Sequence, residues 1–361
     1  MKILMLCPLI SSSSMITVYP MAKALSKKHD VKLVGPLLGG KPFIEDDELE
    51  MKFIEPCISR PQQLAMLELY HRNMKMLMKY DFDVIHAFKL LPHTAPVASA
   101  IKKRTGKKFI LSIDDYDAAA SKNPLKRIVM NWAERACKNA DAITVSSTYL
   151  QRMYGGRLLY QVPNEKLFLK SRPRQDVKKA LGIEGKTMIL YAGTFYPHKG
   201  LDVLIRAVQQ LGRNDIALVL AGSGSEDGRL RRLAGPETIF TGMLPMKRAA
   251  ELTAACDIYA IPTLDTEYAR AEIPGKIFEP MMLGKPIVAS RISDIPRILD
   301  NGRSGLLPRP GDIGSLAQAI EYLADNTKEA KRLGARARTR YGEMYCMASL
   351  GKKLNSIYSG L

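Results

Sequence analysis

Short apolar runs alternate with amphipathic stretches along most of the chain. In the first half, the runs KILMLC, DVKLVGP, MKFIEP, FDVIHAF, KKFILSI and DAITVSS are predicted to be buried strands. Stretches with helical spacing of apolar residues separate several of them, for example YPMAKALSKKH and LKRIVMNWAERACKNA. Strands that alternate with helices predict a parallel, doubly wound sheet.

The second half repeats this pattern. The runs TMILYAG, IALVLAG, TIFTG, DIYAIPT, PIVAS and SGLLP are predicted strands, and LDVLIRAVQQL and MKRAAELTAAC are predicted helices between them. We therefore predict an α/β protein with two Rossmann-like domains that face each other across a cleft. The predicted domains are residues 1–165 and 166–340, and a C-terminal helix at 341–361 is expected to pack back on the first domain. In open parallel sheets, ligands bind at the carboxyl ends of the strands.

Composition and charge narrow the class of partner. The chain has 361 residues, 46% of them hydrophobic, which is enough for two packed cores rather than a disordered protein. Its net charge of +18 predicts an anionic partner such as a phosphorylated ligand or a membrane surface. The chain lacks both a low-complexity basic tail and zinc-type Cys/His spacing, so we expect no nucleic-acid partner.

Three features bear on location. The five cysteines are widely spaced, as expected for reduced thiols in the cytoplasm. The apolar opening is too short for a signal sequence, and no run approaches the ~20 apolar residues of a membrane span. The segment from Gln62 to Tyr80 mixes leucine, methionine and tyrosine with Arg72, Lys75 and Lys79. It is expected to be either a packed amphipathic helix or a helix on an anionic membrane. We therefore expect a cytoplasmic protein, with peripheral attachment to the inner face of the cell membrane as one option.

One lysine stands out in the stretch AGTFYPHKGLDVLIRA. Lys199 follows a predicted strand and comes directly before the glycine that opens a predicted helix. A lysine beside a helix N-terminus can hold a phosphate group, because the free N–H groups and the helix dipole also favour an anion. The alternative interpretation is a solvated loop lysine.

A second stretch, EIPGKIFEPMMLGKPIVAS, carries another candidate site. Pro280 is compatible with a helix only in its first turn, which predicts a helix start near Lys276. Glu279 would then face outward one turn later, where it could accept hydrogen bonds from the paired hydroxyls of a sugar. Alternatively, Lys276 and Glu279 form a simple surface ion pair.

Taken together, these stretches resemble the donor-site signatures of the group 1 glycosyltransferases, a large family of retaining enzymes with the two-domain GT-B fold. The order of KILMLCP, DVIHAF, ADAITVSS, LVLAGSG, FTG and SDIPRILDNGRSGLLPRPGD along the chain supports the same resemblance. The resemblance implies that the first domain takes the acceptor and the second binds a nucleotide-diphosphate sugar, linked to UDP or GDP.

The resemblance also implies residue roles. Lys199 would bind the donor diphosphate and Glu279 the ribose, while Asp114 and Glu272 are further candidates for the catalytic set. The implied donor-binding residues are Gly193, Thr194, Lys199, Thr241, Gly242, Met243, Pro274, Gly275, Lys276, Ile277 and Glu279. The family needs no essential metal, so we expect neither a metal ion nor another cofactor.

The chain departs from the family pattern at several positions. Ala271 stands where the first glutamate of a pair is usual, and Glu272 could replace it only if the loop shifts by one residue. Thr194 occupies a position that often holds arginine. Asp114 stands where the first domain commonly has histidine, and its role could be a hydrogen bond to a donor or acceptor hydroxyl, or only a loop contact. His86 is expected to be a structural or cleft-lining group rather than a nucleophile.

The predicted function is the retaining transfer of a hexose from a nucleotide-diphosphate sugar to a glycan or lipid-linked acceptor, in the synthesis of a cell-surface polysaccharide or glycolipid. The resemblance implies front-face attack, in which Lys199 and helix N-termini stabilise the departing diphosphate. Two alternatives stay open from the sequence. One is a nucleotide-sugar epimerase of the same fold, and the other is a non-catalytic sugar-nucleotide-binding subunit of a glycosyltransferase complex.

Overall fold

The computed structural model describes residues 1–44, 46, 48–55, 62–116, 124–170 and 175–361. The chain divides into two compact units. Unit 1 contains Met1–Gln161 together with Met347–Leu361, and unit 2 contains Val162–Cys346. The chain thus passes from one unit to the other after Gln161 and returns after Cys346, close to the boundaries predicted after residues 165 and 340.

Unit 1 is built on a parallel sheet of seven strands in the order β3-β2-β1-β4-β5-β6-β7. The strands are β1 (Lys2–Leu6), β2 (Asp30–Pro36), β3 (Glu50–Ile54), β4 (Val84–Phe88), β5 (Lys108–Ile113), β6 (Ala142–Val145) and β7 (Arg157–Leu158). Its helices are α1 (Met15–Leu25), α2 (Gln62–Leu77), α3 (Ala95–Thr105), α4 (Pro124–Glu134) and α5 (Thr148–Tyr154), and the chain end adds one more.

Unit 2 has a parallel sheet of five strands in the order β10-β9-β8-β11-β12. Its strands are β8 (Thr187–Ala192), β9 (Ile216–Ala221), β10 (Thr238–Gly242), β11 (Ile258–Ile261) and β12 (Ile287–Ala289). Its helices are α6 (Glu165–Lys170), α7 (Gln175–Ala180), α8 (Leu201–Leu211), α9 (Asp227–Leu233), α10 (Met246–Ala255), α11 (Glu267–Ala271), α12 (Phe278–Met282), α13 (Ile295–Ile298), α14 (Ile313–Asp325) and α15 (Thr327–Met344). The last helix, α16 (Met347–Tyr358), returns to unit 1 and packs against α1.

The central strands are buried because helices cover both faces of each sheet. Every residue of β4 and of β9 is buried, which explains why their sequences are unbroken apolar runs rather than alternating patterns. The prediction of two parallel, Rossmann-like α/β domains is confirmed by these two sheets. Among the described residues, no helix is long and apolar enough to cross a membrane.

Two local predictions differ from the structure. The run SGLLP is not a strand, because Leu306 makes only an isolated bridge to Val288. Conversely, the two-residue strand β7 was not predicted, since two residues are too few to show a period. Both differences lie at sheet edges, where one short pairing decides whether a segment counts as a strand.

Candidate active site

The loops after neighbouring strands of unit 2 lie against one another at the carboxyl edge of its sheet. The Gly193 N–H donates to the carbonyl of Ala221 at 2.9 Å, and the Gly222 N–H donates to the carbonyl of Gly242 at 2.9 Å. Gly222 has φ +146°, and a Cβ there would lie 1.8 Å from the carbonyl oxygen of Gly193. Only glycine allows the loops after β8 and β9 to approach this closely.

The loop after β8 places Lys199 at the start of α8. A 3-10 turn, Pro197–Lys199, ends at Gly200, which has φ +67° and directly precedes the helix. A Cβ on Gly200 would lie 2.2 Å from the Pro262 carbonyl oxygen. The loop after β11 therefore packs tightly against this turn, and the Leu264 N–H donates to the carbonyl of His198 at 2.9 Å. The predicted position of Lys199 before a helix-opening glycine is confirmed.

Lys199 is not a solvated loop lysine. Its side chain is 10% exposed, and its Nζ donates to Oε1 and Oε2 of Glu272 at 2.8 Å each. The His198 Nε2 lies 3.3 Å from Oε2 of the same carboxylate. Burial alone would raise the pKa of Glu272, but the adjacent His198 ring and the charge of Lys199 lower it to about 2. The site thus holds an ionised glutamate with a buried lysine.

The second candidate pair lies one segment later in the chain. A 3-10 turn, Gly275–Ile277, runs directly into α12, so the helical segment starts near Lys276 as predicted and becomes an α-helix at Phe278. Lys276 Nζ donates to Oε1 of Glu279 at 3.0 Å, which is the ion pair of the alternative interpretation. Glu279 does not face outward, because it is only 7% exposed. Burial raises the pKa of its carboxyl, and the nearby charge of Lys276 opposes that rise.

The other predicted donor-binding residues differ in how far they are exposed to solvent. Thr194 is exposed, and its carbonyl accepts the Tyr191 hydroxyl at 2.9 Å. At the end of β10, Met243 is 68% exposed and follows Gly242, whose φ is +71°. Ile277 is fully buried in the core, so only its backbone could face a ligand.

Four more predicted positions complete the comparison. Thr241 and Gly242 end β10, and the Thr241 hydroxyl donates to the Gly242 carbonyl at 3.2 Å. Pro274 and Gly275 are half-buried at the turn before α12. Ala271, at the position expected to hold a glutamate, is fully buried as the last residue of α11. The acidic side chain that lies beside Lys199 is that of the next residue.

Unit 1 carries its own polar group at the carboxyl edge of its sheet. Asp114 and Asp115 follow β5, and Lys89 follows the adjacent strand β4. Lys89 Nζ forms an ion pair with the carboxylate of Asp115 and lies 3.6 Å from Oδ1 of Asp114. Asp114 is 9% exposed. The carboxylates of both aspartates therefore lie next to the same ammonium group.

Of the two roles expected of His86, structural or cleft-lining, the structure supports the structural one. It lies in the middle of β4 and is fully buried. Its Nδ1 is 2.8 Å from the hydroxyl of Tyr358 in α16, and its Nε2 is 2.7 Å from the hydroxyl of Ser112 in β5. Burial lowers the pKa of the imidazole to about 3. The neutral ring thus connects the sheet of unit 1 to the last helix.

Comparison with known proteins identifies the family. Residues 186–326 match the model for "Glycosyl transferases group 1", and residues 16–169 match that for "Glycosyltransferase Family 4". The chain is a glycosyltransferase with a family 4 domain in its first half and a group 1 domain in its second. The predictions of the family and of a glycosyltransferase enzyme are therefore confirmed, and each of the two matched regions corresponds to one sheet of the structure.

Individual relatives of this glycosyltransferase are distant but similar along their length. A "GDP-mannose-dependent alpha-(1-6)-phosphatidylinositol monomannoside mannosyltransferase" of Mycolicibacterium smegmatis is 21% identical over 357 residues, covering 93% of this chain and 92% of the relative. A monoacylated-substrate counterpart from Corynebacterium glutamicum is 25% identical over 282 residues, or 73% of each chain.

Solved structures share the fold of this glycosyltransferase. Sucrose-phosphate synthase from Thermosynechococcus elongatus superposes with a TM-score of 0.81 at 19% identity, covering 100% of this chain and 99% of its own. Anabaena HepE in complex with UDP and glucose superposes with a TM-score of 0.80 at 18% identity, covering 100% of both chains. Together these neighbours confirm the GT-B fold.

Two residues beside the predicted ones were not included in the predicted site. His198 contacts the carboxylate that binds Lys199, and its ring packs edge-on against Tyr268 at 5.0 Å between centroids. Lys89 binds the aspartates of unit 1. Both directly adjoin features that the sequence had marked, Lys199 and the end of the strand DVIHAF. What the sequence could not show is which carboxylate each of them reaches.

Proposed function

We propose that this glycosyltransferase transfers a hexose from a nucleotide-diphosphate sugar to a glycan or lipid-linked acceptor, with retention of the anomeric configuration. The observation that carries this proposal is the burial of Lys199 with its charge at the carboxyl edge of the unit 2 sheet, directly before α8. A buried lysine charge is costly unless an anion pairs with it, and here Glu272 does so. The α8 N-terminus next to it adds N–H groups that favour an anion.

The donor diphosphate is proposed to bind against Lys199 and the first turn of α8. The ion pair with Glu272 holds the ammonium in place before the donor arrives, so little reorganisation is needed on binding. As the bond between sugar and phosphate breaks, negative charge accumulates on the leaving diphosphate. A fixed ammonium in a water-poor site stabilises that charge more than it stabilises the intact donor.

The ribose of the donor is proposed to bind on one side of Lys199, and the base on the other. Glu279, held by Lys276, would accept hydrogen bonds from the ribose hydroxyls. Thr241, Gly242 and the exposed Met243 would lie beside the base at the end of β10. The names of the relatives favour GDP-mannose as donor, whereas the bound nucleotide of HepE favours UDP, so the base is decided by experiment.

Unit 1 is proposed to bind the acceptor. Asp114 offers a carboxylate that can accept a hydrogen bond from an acceptor hydroxyl, and it lies at the carboxyl edge where parallel sheets bind ligands. The acceptors named for the mannosyltransferase relatives are phosphatidylinositol mannosides. A lipid-linked acceptor of this kind is our proposal for this chain also.

A lipid-linked acceptor fits contact with an anionic membrane at the inner face of the cell membrane. In unit 1, Leu67 on α2 is 54% exposed, and Ile128 and Trp132 on α4 are 65% and 43% exposed. The rings of Tyr70 and Trp132, 6.2 Å apart, bring the two helices together, and α2 also presents Lys75 to solvent. Apolar side chains next to basic ones suit an interface with anionic lipid.

A thermal-shift panel tests the donor site. We expect one of UDP-glucose, GDP-mannose, ADP-glucose and CDP-glucose to raise the melting temperature, because a ligand that binds only the folded state stabilises it. Lys199→Ala and Glu279→Ala should abolish the shift. Lys178→Ala is the matched control, since Lys178 also pairs with a carboxylate, Asp257 at 2.6 Å, and should leave the shift unchanged. No shift with any donor would contradict the proposal.

Transfer itself is tested with the donor that binds. Phosphatidylinositol in vesicles serves as the acceptor probe, and NMR of the product gives its anomeric configuration. An α-linked product from the α-linked donor supports retention, and a β-linked product contradicts it.

Pelleting with vesicles of anionic or zwitterionic lipid tests the membrane contact. Leu67→Ser with Ile128→Ser should release the protein from anionic vesicles, whereas Tyr322→Ser, at a residue 46% exposed in unit 2, should not.

A further inference from the structure

Lys89 has a backbone conformation that lysine rarely adopts. Its φ is +65°, and the other non-glycine residues with positive φ in the described part of the chain are Ser293, Asp300 and Asn301. Side chains with a Cβ are disfavoured in this region, and asparagine and aspartate tolerate it best. A lysine at this position is therefore a local exception that needs a cause.

The backbone around Lys89 is held from two sides. Its N–H donates to the carbonyl of Ser112 at 2.8 Å, which extends the pairing of β4 with β5 by one residue. Its carbonyl accepts the hydroxyl of the buried Thr94 at 2.8 Å. The chain thus turns sharply at the carboxyl edge of the sheet, and a glycine would make the same turn without the steric cost.

The side chain supplies the reason for a lysine. Its ammonium forms an ion pair with Asp115 and lies 3.6 Å from Oδ1 of Asp114, and the three side chains are 14%, 23% and 10% exposed. The hydroxyl of Ser146 donates to the Asp114 carbonyl at 2.7 Å, which fixes the backbone of that residue as well. One ammonium is therefore shared by two carboxylates at the point where two adjacent strands end.

A buried ion pair of this kind does not by itself explain a strained lysine. Buried pairs add little stability compared with apolar packing, and strained backbone persists mainly where function needs the geometry. We propose that Lys89 is a positioning residue of the acceptor site, which holds the carboxylates of Asp114 and Asp115 where Asp114 meets the acceptor hydroxyl. This inference rests on the proposed acceptor role of Asp114. Lys89 acts through the two aspartates and does not itself need to touch the substrate.

Three substitutions separate the charge of Lys89 from its backbone. Lys89→Gly removes the ammonium and relieves the positive φ, Lys89→Met removes the ammonium and keeps the strain, and Lys89→Arg keeps both the charge and the strain. Each variant is assayed for hexose transfer to phosphatidylinositol vesicles at saturating donor, together with its melting temperature and its donor thermal shift.

We expect the glycine and methionine variants to lose about ten- to a hundredfold in kcat/KM for the acceptor, as for a misplaced catalytic group. The donor shift should remain in both, and the arginine variant should recover most of the activity. The loss of kcat/KM should depend on the missing ammonium and not on the melting temperature. Lys89→Gly should be more stable than Lys89→Met, because glycine relieves the positive φ, yet both variants should lose activity. Activity that falls only in step with the melting temperature would overturn the proposal.

Asp114→Asn keeps the two proposals distinguishable. If that substitution leaves transfer unchanged, the acceptor role of Asp114 is wrong. If it lowers transfer while Lys89→Gly and Lys89→Met do not, the acceptor role stands and the positioning role of Lys89 is wrong.

Discussion

Glu272 and Glu279 lie close together in the sequence, yet their environments shift their pKa values in opposite directions. Glu272 accepts two hydrogen bonds from Lys199 and lies beside the His198 ring, and these neighbours outweigh its burial and lower its pKa to about 2. Glu279 is more deeply buried and has Lys276 as its cation, so burial dominates and raises its pKa. The difference follows from the additional contact of Glu272 with His198 and from the deeper burial of Glu279.

Glu272→Gln should lower the stability of unit 2 by about 3 kcal/mol at neutral pH, because it leaves the buried Lys199 without a counter-charge. The folded-state pKa of Glu272, about 2, lies below the ordinary 4.5, so the pair contributes fully above pH 4.5 and loses its contribution as the pH falls toward 2. Urea unfolding followed by circular dichroism at pH 7 and pH 3 measures this.

The matched control for that experiment is Glu251→Gln. Glu251 is also buried and pairs with Arg248 at 2.6 Å, but the arginine side chain is 57% exposed. Water can solvate the arginine once its partner is gone, so the control should cost clearly less stability. An equal loss in both variants, or a loss from Glu272→Gln that does not shrink at pH 3, would contradict the assignment of a buried charge pair.

Among the elements, α8 and the turn before it determine where Lys199 lies. Two glycines with left-handed backbone flank this helix, Gly200 at its start and Gly212 at its end, with φ +67° and +61°. They have the same conformation but different surroundings. A Cβ on Gly200 would meet the Pro262 carbonyl at 2.2 Å, whereas a Cβ on Gly212 would meet nothing within 4 Å.

This pair gives an internally controlled test. Gly212→Ala should cost about 1 kcal/mol of stability, which is the price of a Cβ in this backbone region. Gly200→Ala carries the same cost and also pushes the turn away from the loop after β11, so we expect a total loss of about 3 kcal/mol or more and a weaker donor shift. Thermal unfolding with and without donor measures both. Equal losses would mean that the contact between the two loops does not position Lys199.

The strands and helices were largely predictable because the burial of parallel strands leaves unbroken apolar runs in the sequence. DVKLVGP and TIFTG coincide with β2 and β10. The helix start predicted near Lys276 is confirmed, although the first turn there is a 3-10 turn and the α-helix follows it. Lys199 could be identified from its place before a glycine and a helix. Its partner Glu272 could not be identified, because Glu272 belongs to the segment after β11 whereas Lys199 follows β8.

Across the whole molecule, the chain end belongs to the unit in which the chain begins. Helix α16 packs on α1, and the Tyr358 hydroxyl lies 2.8 Å from Nδ1 of the fully buried His86. Tyr358→Phe leaves a buried ring nitrogen without this partner and should lower the stability of unit 1 by about 1–3 kcal/mol. Trp132 is the single tryptophan and lies in unit 1, so its fluorescence reports the unfolding of that unit.

The control for this variant is Tyr322→Phe, at a residue half-exposed in unit 2. It should leave the tryptophan transition unchanged. Because burial lowers the pKa of His86 to about 3 from 6.5, the neutral ring adds stability above pH 6.5 that is lost as the pH falls toward 3. A tryptophan transition that Tyr358→Phe does not move would show that α16 contributes nothing to unit 1 through this contact.

Calorimetric titration measures whether Lys199 binds the diphosphate of the donor, on which the proposed function depends. The nucleoside monophosphate and diphosphate of the base found by thermal shift are titrated into the wild type, Lys199→Gln and the control Lys178→Gln. We expect the wild type and the control to bind the diphosphate at least about tenfold more tightly, which is ~1.4 kcal/mol, and Lys199→Gln to lose that preference. If Lys199→Gln keeps the full preference for the diphosphate, the proposed role of Lys199 is wrong.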